Sequence, residues 1–167
     1  MSSPDGCTVP NLITFGRILL TPLFLYFLLT FQPIYSSLIF LILALSDALD
    51  GFLARQLKET SDLGKFLDPI ADKILVISAL IGLVEMRYIP ALPVIIIIAR
   101  DFFVQALRMN SAREGHIIAA GHLGKLKTIV QVIAVFMCIL QLPNAMPVLW
   151  FSVIISLISG VEYFVRR

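Results

Sequence analysis

Four aspartates lie in one polar stretch of an otherwise apolar chain. Asp47 and Asp50 are three residues apart, and Asp68 and Asp72 are four apart. On a helix, either spacing puts both carboxylates on one face. Four carboxylates that meet in a partly desolvated pocket repel one another unless divalent cations lie between them. Because the donors are hard oxygens without His or Cys, the pattern predicts two Mg²⁺ or Mn²⁺ ions.

A pair of such ions would clamp the attacking and leaving oxygens of a phosphoryl displacement. The alternative is a solvated cluster in which the aspartates pair with Arg55, Lys65 and Lys73. Ionisable groups beside membrane helices are usually functional, which favours the metal site.

Small residues also flank the two pairs of aspartates, and they would either make room for a bulky ligand or let helices pack closely. These small residues are Gly51, Ala54 and Gly64.

The rest of the chain must position these aspartates within a membrane. Of its 167 residues, 59% are hydrophobic and 14% are charged, and the mean hydropathy is +0.95. These values predict an all-α membrane protein with one domain over residues 1–167, and the net charge of +2 gives no indication of nucleic-acid binding. Pro-rich and polar breakers separate six apolar segments, each long enough to cross a bilayer. The predicted transmembrane helices are 11–31, 33–57, 61–85, 90–113, 121–142 and 145–165.

The distribution of basic residues predicts the orientation of these helices. With the N-terminus inside, all but one of the Lys and Arg residues fall on one side, and only Arg87 falls on the other. By the positive-inside rule the basic side is cytoplasmic, and the aspartates lie on it. The residues on this side are Arg17, Arg55, Lys58, Lys65, Lys73, Arg100, Arg108, Arg113, Lys125, Lys127, Arg166 and Arg167.

The stretch from Asp47 to Asp72 resembles the signature of the CDP-alcohol phosphatidyltransferase family. Eight defined residues agree at fixed spacing over 26 positions. The segments "VPNLITFGRILLTP" (Val9–Pro22), "GKFLDPIADK" (Gly64–Lys73), "ARDFFVQALR" (Ala99–Arg108) and "GKLKT" (Gly124–Thr128) are similar to the phosphatidylglycerophosphate synthase branch of that family. One departure is Asp101, where that branch leads us to expect Glu.

The resemblance implies a six-helix homodimer with a polar cavity that faces the cytoplasm. It also implies that Asp47 and Asp68 bridge two metal ions, that Asp50 binds the first, and that Asp72 binds the second and accepts the proton of the acceptor alcohol. A further set would hold the donor, CDP-diacylglycerol. These residues are Pro10, Asn11, Leu12, Ile13, Gly51, Ala54, Arg55, Ser61 and Gly64.

The implied reaction transfers the phosphatidyl group of CDP-diacylglycerol to glycerol 3-phosphate and releases CMP. It would take place at the bacterial inner membrane, with the acyl chains in membrane lipid. A basic pocket suits a phosphorylated acceptor, although the same residues could instead set topology or contact anionic lipid. The candidates are Arg100, Arg108, Arg113, Lys125 and Lys127.

Other acceptors and other functions fit part of this pattern. Inositol phosphate, phosphatidylglycerol or serine could replace glycerol 3-phosphate within the same family. A Mg²⁺-dependent membrane prenyltransferase also binds a diphosphate through paired aspartates, but it has no evident need for the Gly51, Ala54 and Arg55 array. A cation transporter would place its carboxylates near the bilayer midplane, whereas these aspartates lie toward one side.

Overall fold

Six α-helices and no strand make up the part of the chain that the structure describes. The computed structural model describes the backbone of residues 9–57, 62–113 and 122–165, and the side chains of residues 16–46, 73–107, 109, 111 and 123–164. The predicted all-α class and the six helices are confirmed, with bounds that differ from the predicted ones by at most three residues. The helices are α1 (Val9–Leu29), α2 (Pro33–Leu57), α3 (Asp62–Glu85), α4 (Ala91–Arg113), α5 (His122–Ile139) and α6 (Ala145–Val165).

Three of these helices end in the same kind of turn, in which a residue other than glycine adopts a left-handed conformation. The residues and their φ angles are Phe31 (58°), Arg87 (59°) and Gln141 (52°). After α5, the amide of Leu142 donates to the carbonyl of Met137 (3.0 Å) and the amide of Gln141 donates to that of Cys138 (3.2 Å). This pair of bonds is a Schellman motif. It explains why α1 and α5 end before the predicted positions: their apolar sequence continues into the turn.

The helices differ in how well they meet the requirements for a membrane span. Within the described residues, one segment is long and apolar enough by length and composition, residues 145–164 of α6. The apolar parts of α1 and α2, Gly16–Leu29 and Pro33–Ser46, are shorter. The six helices are therefore confirmed as helices, whereas the six transmembrane spans remain a prediction.

Contacts divide the chain into two compact units, Met1–Gly82 and Leu83–Arg167. In the first unit α1 packs against α2, and the rings of Phe24 and Phe40, both fully buried, lie 5.7 Å apart. α3 approaches α1 closely at Gly82, where an added Cβ would lie 2.7 Å from Cδ2 of Leu28. A side chain at this position would displace the end of the buried Leu28 side chain, and glycine leaves room for it.

In the second unit α6 packs against both α4 and α5. Its inner face carries Ser152, Ser156 and Gly160 at intervals of four residues, and both serines are 1% exposed. Small residues at this spacing let helix backbones approach each other. The hydroxyl of Ser152 donates to the carbonyl of Leu149 in its own helix (2.7 Å). Because the residues on the face of α6 that meets α4 and α5 are small, long side chains of the neighbouring helices can pack close to the α6 backbone.

Candidate active site

The four aspartates lie on two of the observed helices. Asp47 and Asp50 belong to α2, and Asp68 and Asp72 belong to α3. Since both segments are helical, each pair has the same-face spacing on which the metal prediction depends. The side chains of all four lie outside the described residues, so the predicted metal site remains a prediction. Among the side chains that the structure does describe, no group of three or more His, Cys, Asp or Glu residues could hold a metal ion.

The predicted donor-binding residues lie near the ends of the first three helices. Pro10, Asn11, Leu12 and Ile13 form part of the first two turns of α1. Their side chains lie outside the described residues, and so does the whole of Ser61. The remaining members are also described only by their backbone, with Gly51, Ala54 and Arg55 in α2 and Gly64 in the first turn of α3. The donor site also remains a prediction.

Two of the predicted acceptor-binding residues meet in the second unit through a shared carboxylate. Nζ of Lys127 on α5 lies 2.7 Å from Oδ1 and 2.6 Å from Oδ2 of Asp101 on α4. Nη1 of Arg100 lies 3.0 Å from the same Oδ1. The three side chains are only 10–12% exposed. We call Arg100, Asp101 and Lys127 the charged triad.

The Arg100 side chain of this triad runs past the backbone of α6. A Cβ added at Gly160 would lie 3.1 Å from Nε and 3.5 Å from Cγ of Arg100. Nε is buried and has no hydrogen-bond partner within the described part of the chain. Glycine at position 160 therefore leaves the space through which Arg100 reaches Asp101.

Of the other predicted acceptor-binding residues, the structure describes the side chain of Lys125. Lys125 is exposed, and because it precedes Lys127 by two residues it lies on another face of α5. Arg108 and Arg113 belong to α4, but their side chains lie outside the described residues. The structure thus brings together Arg100 and Lys127 out of the five predicted residues.

Sequence reasoning noted Asp101 only as a departure from the family pattern and overlooked Gly160. A signal for Asp101 was present, since an acidic residue in an apolar helix needs a partner. The sequence could not identify that partner, because Lys127 lies 26 residues away on another helix. For Gly160, the small residues at positions 152, 156 and 160 were the available signal.

Comparison with known proteins establishes the family. A family model described as CDP-alcohol phosphatidyltransferase matches residues 7–158, so this chain belongs to that family. A relative from Bacillus subtilis (strain 168), named CDP-diacylglycerol–glycerol-3-phosphate 3-phosphatidyltransferase, is 38% identical over 95% of this chain and 94% of its own length. A relative of the same name from Haemophilus influenzae is 35% identical, with 93% of this chain and 90% of the relative covered.

A third relative, from Mycobacterium tuberculosis (strain H37Rv), is named a probable phosphatidylglycerophosphate synthase. It is 34% identical to this chain, and the match covers 93% of this chain and 79% of the relative. The resemblance inferred from the motif of Asp47 to Asp72, and its branch within the family, are therefore confirmed.

Proposed function

We propose that this protein transfers the phosphatidyl group of CDP-diacylglycerol to glycerol 3-phosphate, with phosphatidylglycerophosphate and CMP as products. The observation that carries the proposal is the family membership over residues 7–158, together with relatives that bear the name of this enzyme over nearly the whole chain. Family membership also favours this reaction over prenyl transfer and cation transport.

The donor set on α2 and α3 fits a pair of divalent cations. It consists of four carboxylates and no His or Cys, which is the hard-oxygen chemistry that Mg²⁺ and Mn²⁺ prefer. Asp47 and Asp68 would each contact both ions, Asp50 the first and Asp72 the second. When bound, the ions would neutralise the diphosphate of the donor and stabilise its leaving oxygen.

Asp72 would also act as the general base of the reaction. Its carboxylate would accept the proton of the acceptor hydroxyl while that oxygen forms a bond to the phosphorus of the phosphatidyl group. The bond from this phosphorus to the bridging oxygen would break, and the oxygen would leave with CMP.

The donor would be held by the start of α1 and by the facing segments of α2 and α3. Arg55 suits the diphosphate, because a guanidinium donates two parallel hydrogen bonds to phosphate oxygens. Gly51, Ala54 and Gly64 would let the nucleotide approach the helix backbone. Ser61 and the α1 residues Pro10, Asn11, Leu12 and Ile13 would complete this site.

The acceptor would be recognised by its phosphate group. Arg100 and Lys127, which meet at Asp101, supply two cations for a phosphate dianion. Arg108, Arg113 and Lys125 would add positive charge around them. A phosphorylated acceptor satisfies such cations better than serine, whose zwitterion has no net charge.

Family membership also supports a cellular setting for the protein. The protein would be an integral membrane protein of the bacterial inner membrane, with six spans and a polar cavity open to the cytoplasm. It would work as a homodimer, with the acyl chains of the donor remaining in membrane lipid. The basic residues on the predicted cytoplasmic side support this orientation.

The proposal is tested by measuring which acceptor gives a lipid product and CMP. Purified protein with CDP-diacylglycerol and Mg²⁺ or Mn²⁺ is offered glycerol 3-phosphate, inositol phosphate, serine and phosphatidylglycerol in separate reactions. We expect stoichiometric CMP and phosphatidylglycerophosphate from glycerol 3-phosphate alone. Product from another acceptor, with none from glycerol 3-phosphate, would contradict the proposed substrate and leave the family membership unchanged.

A further inference from the structure

The charged triad contains an anion at the place where the proposed function needs cations. Asp101 lies between Arg100 and Lys127 and takes hydrogen bonds from both. A carboxylate here competes for the cations that would bind the acceptor phosphate, so its presence needs an explanation. The three groups together still carry one net positive charge, because two cations face one anion.

The geometry of Lys127 suggests that the carboxylate has a positioning role. A lysine ammonium has three N–H donors on a flexible stem. Both carboxylate oxygens of Asp101 accept from this ammonium, at 2.6 and 2.7 Å. Because this bond already restricts the Lys127 side chain, less rotamer freedom is lost when a ligand binds. A site that is ordered before binding binds its ligand more tightly.

Arg100 is held from two sides. Asp101 accepts from Nη1, while the backbone of α6 at Gly160 lies against the stem of the side chain. The guanidinium has five N–H donors, and within the described structure its bond to Asp101 accounts for Nη1 alone. The guanidinium is therefore fixed in place while it keeps donors for a ligand.

We infer that Asp101 is a positioning residue for the acceptor phosphate: it orients Lys127 and Arg100 so that both donate to the same phosphate group. This inference rests on the proposed function, since it assigns a role within the acceptor site. Asp101 itself does not contact the acceptor. The charge of its side chain matters, so glutamate at position 101 should serve and asparagine should not.

Binding and folding must be measured separately, because a buried ion pair that loses one partner also loses stability. The full-length protein in detergent, with Mg²⁺ and CDP, is titrated calorimetrically with glycerol 3-phosphate, and its thermal unfolding is recorded. The variants are Asp101→Asn, Lys127→Met, the combination of both, and Asp101→Glu. The double variant is informative because removing both partners of a pair leaves no uncompensated buried charge.

For Asp101→Asn we expect the affinity for glycerol 3-phosphate to fall roughly 10- to 100-fold, the value of one or two charge-assisted hydrogen bonds. The double variant should unfold close to the wild-type temperature and still bind weakly, whereas Asp101→Glu should keep most of the affinity. Wild-type affinity in Asp101→Asn would overturn the inference. So would an affinity that follows the unfolding temperature through all four variants, since that is the behaviour of a purely structural ion pair.

CMP release by the same wild-type preparation distinguishes this inference from the proposed function. Turnover with glycerol 3-phosphate, combined with equal affinities in wild type and Asp101→Asn, would overturn the inference alone. Binding that depends on Asp101 without any CMP release would overturn the proposed reaction and support the role of Asp101.

Discussion

Replacing Gly160 with alanine would move Arg100 without changing any charge. The added Cβ would lie 3.1 Å from Nε and 3.5 Å from Cγ of Arg100, whereas carbon and nitrogen atoms in ordinary contact are about 3.5–4.0 Å apart. The Arg100 side chain must therefore shift by a few tenths of an ångström. Its bond to Asp101, 3.0 Å from Nη1 to Oδ1, opposes this shift.

The size of the effect follows from the contacts that change. Weakening one charge-assisted hydrogen bond by about 1.5 kcal/mol corresponds to roughly a tenfold loss of affinity. We thus expect the KM for glycerol 3-phosphate to rise about tenfold, with an unchanged KM for CDP-diacylglycerol. The free energy of unfolding should fall by at most about 2 kcal/mol, because overpacking costs about 1–3 kcal/mol and replacing a helical glycine by alanine returns about 1 kcal/mol.

The assay is CMP release at varied glycerol 3-phosphate, with Gly124→Ala as the matched control. Among the described residues, a Cβ at Gly124 would come within 4.0 Å of Oγ of Ser159 and of no other atom, so this variant should keep the wild-type KM. An unchanged KM in Gly160→Ala would refute the argument that Gly160 holds Arg100 in place. Equal increases in both variants would refute it as well, since they would reflect the substitution of any helical glycine.

Three further predictions test other parts of the structure. Gln141→Gly or Arg87→Gly should raise the free energy of unfolding by about 1 kcal/mol, because glycine adopts the left-handed conformation of these residues, with φ of 52° and 59°, without steric cost. A lower unfolding temperature would contradict the assigned turns. Phe40→Ala should destabilise the fully buried α1–α2 contact by about 3 kcal/mol, while alanine at the exposed Ile42 should have little effect, and equal unfolding temperatures would contradict this packing. Asp72→Asn should abolish CMP release and reduce CDP binding far less, and an active variant would exclude Asp72 as the general base.

The sequence predicted the helices well because their signal is local. Apolar segments bounded by breakers such as Pro33 and Pro143 place each helix within a few residues. Four of the six helices start one or two residues from the predicted position, and α1 and α5 also end early, where apolar residues such as Phe31 and Leu142 form the turn. Hydropathy cannot distinguish an apolar residue in a turn from one in a helix, whereas the hydrogen bonds of the Schellman motif can.

The candidate site was predictable to the extent that it depends on spacing along a helix. Asp47 with Asp50, and Asp68 with Asp72, needed only the helices that the structure confirms. The pairing of Asp101 with Lys127 joins residues 26 positions apart, and no local pattern specifies such a contact. The fit of Gly160 against Arg100 likewise depends on how α4 packs on α6, which only the three-dimensional structure shows.

The central claim is that aspartates of α2 and α3 hold two divalent cations for transfer to glycerol 3-phosphate. Anomalous diffraction from crystals grown with Mn²⁺ and CDP tests it most directly. The account predicts two Mn²⁺ peaks, both within coordination distance of Asp47 and Asp68, with Asp50 on one ion and Asp72 on the other. A map with no Mn²⁺ peak at these four carboxylates, from protein that still releases CMP, would contradict it.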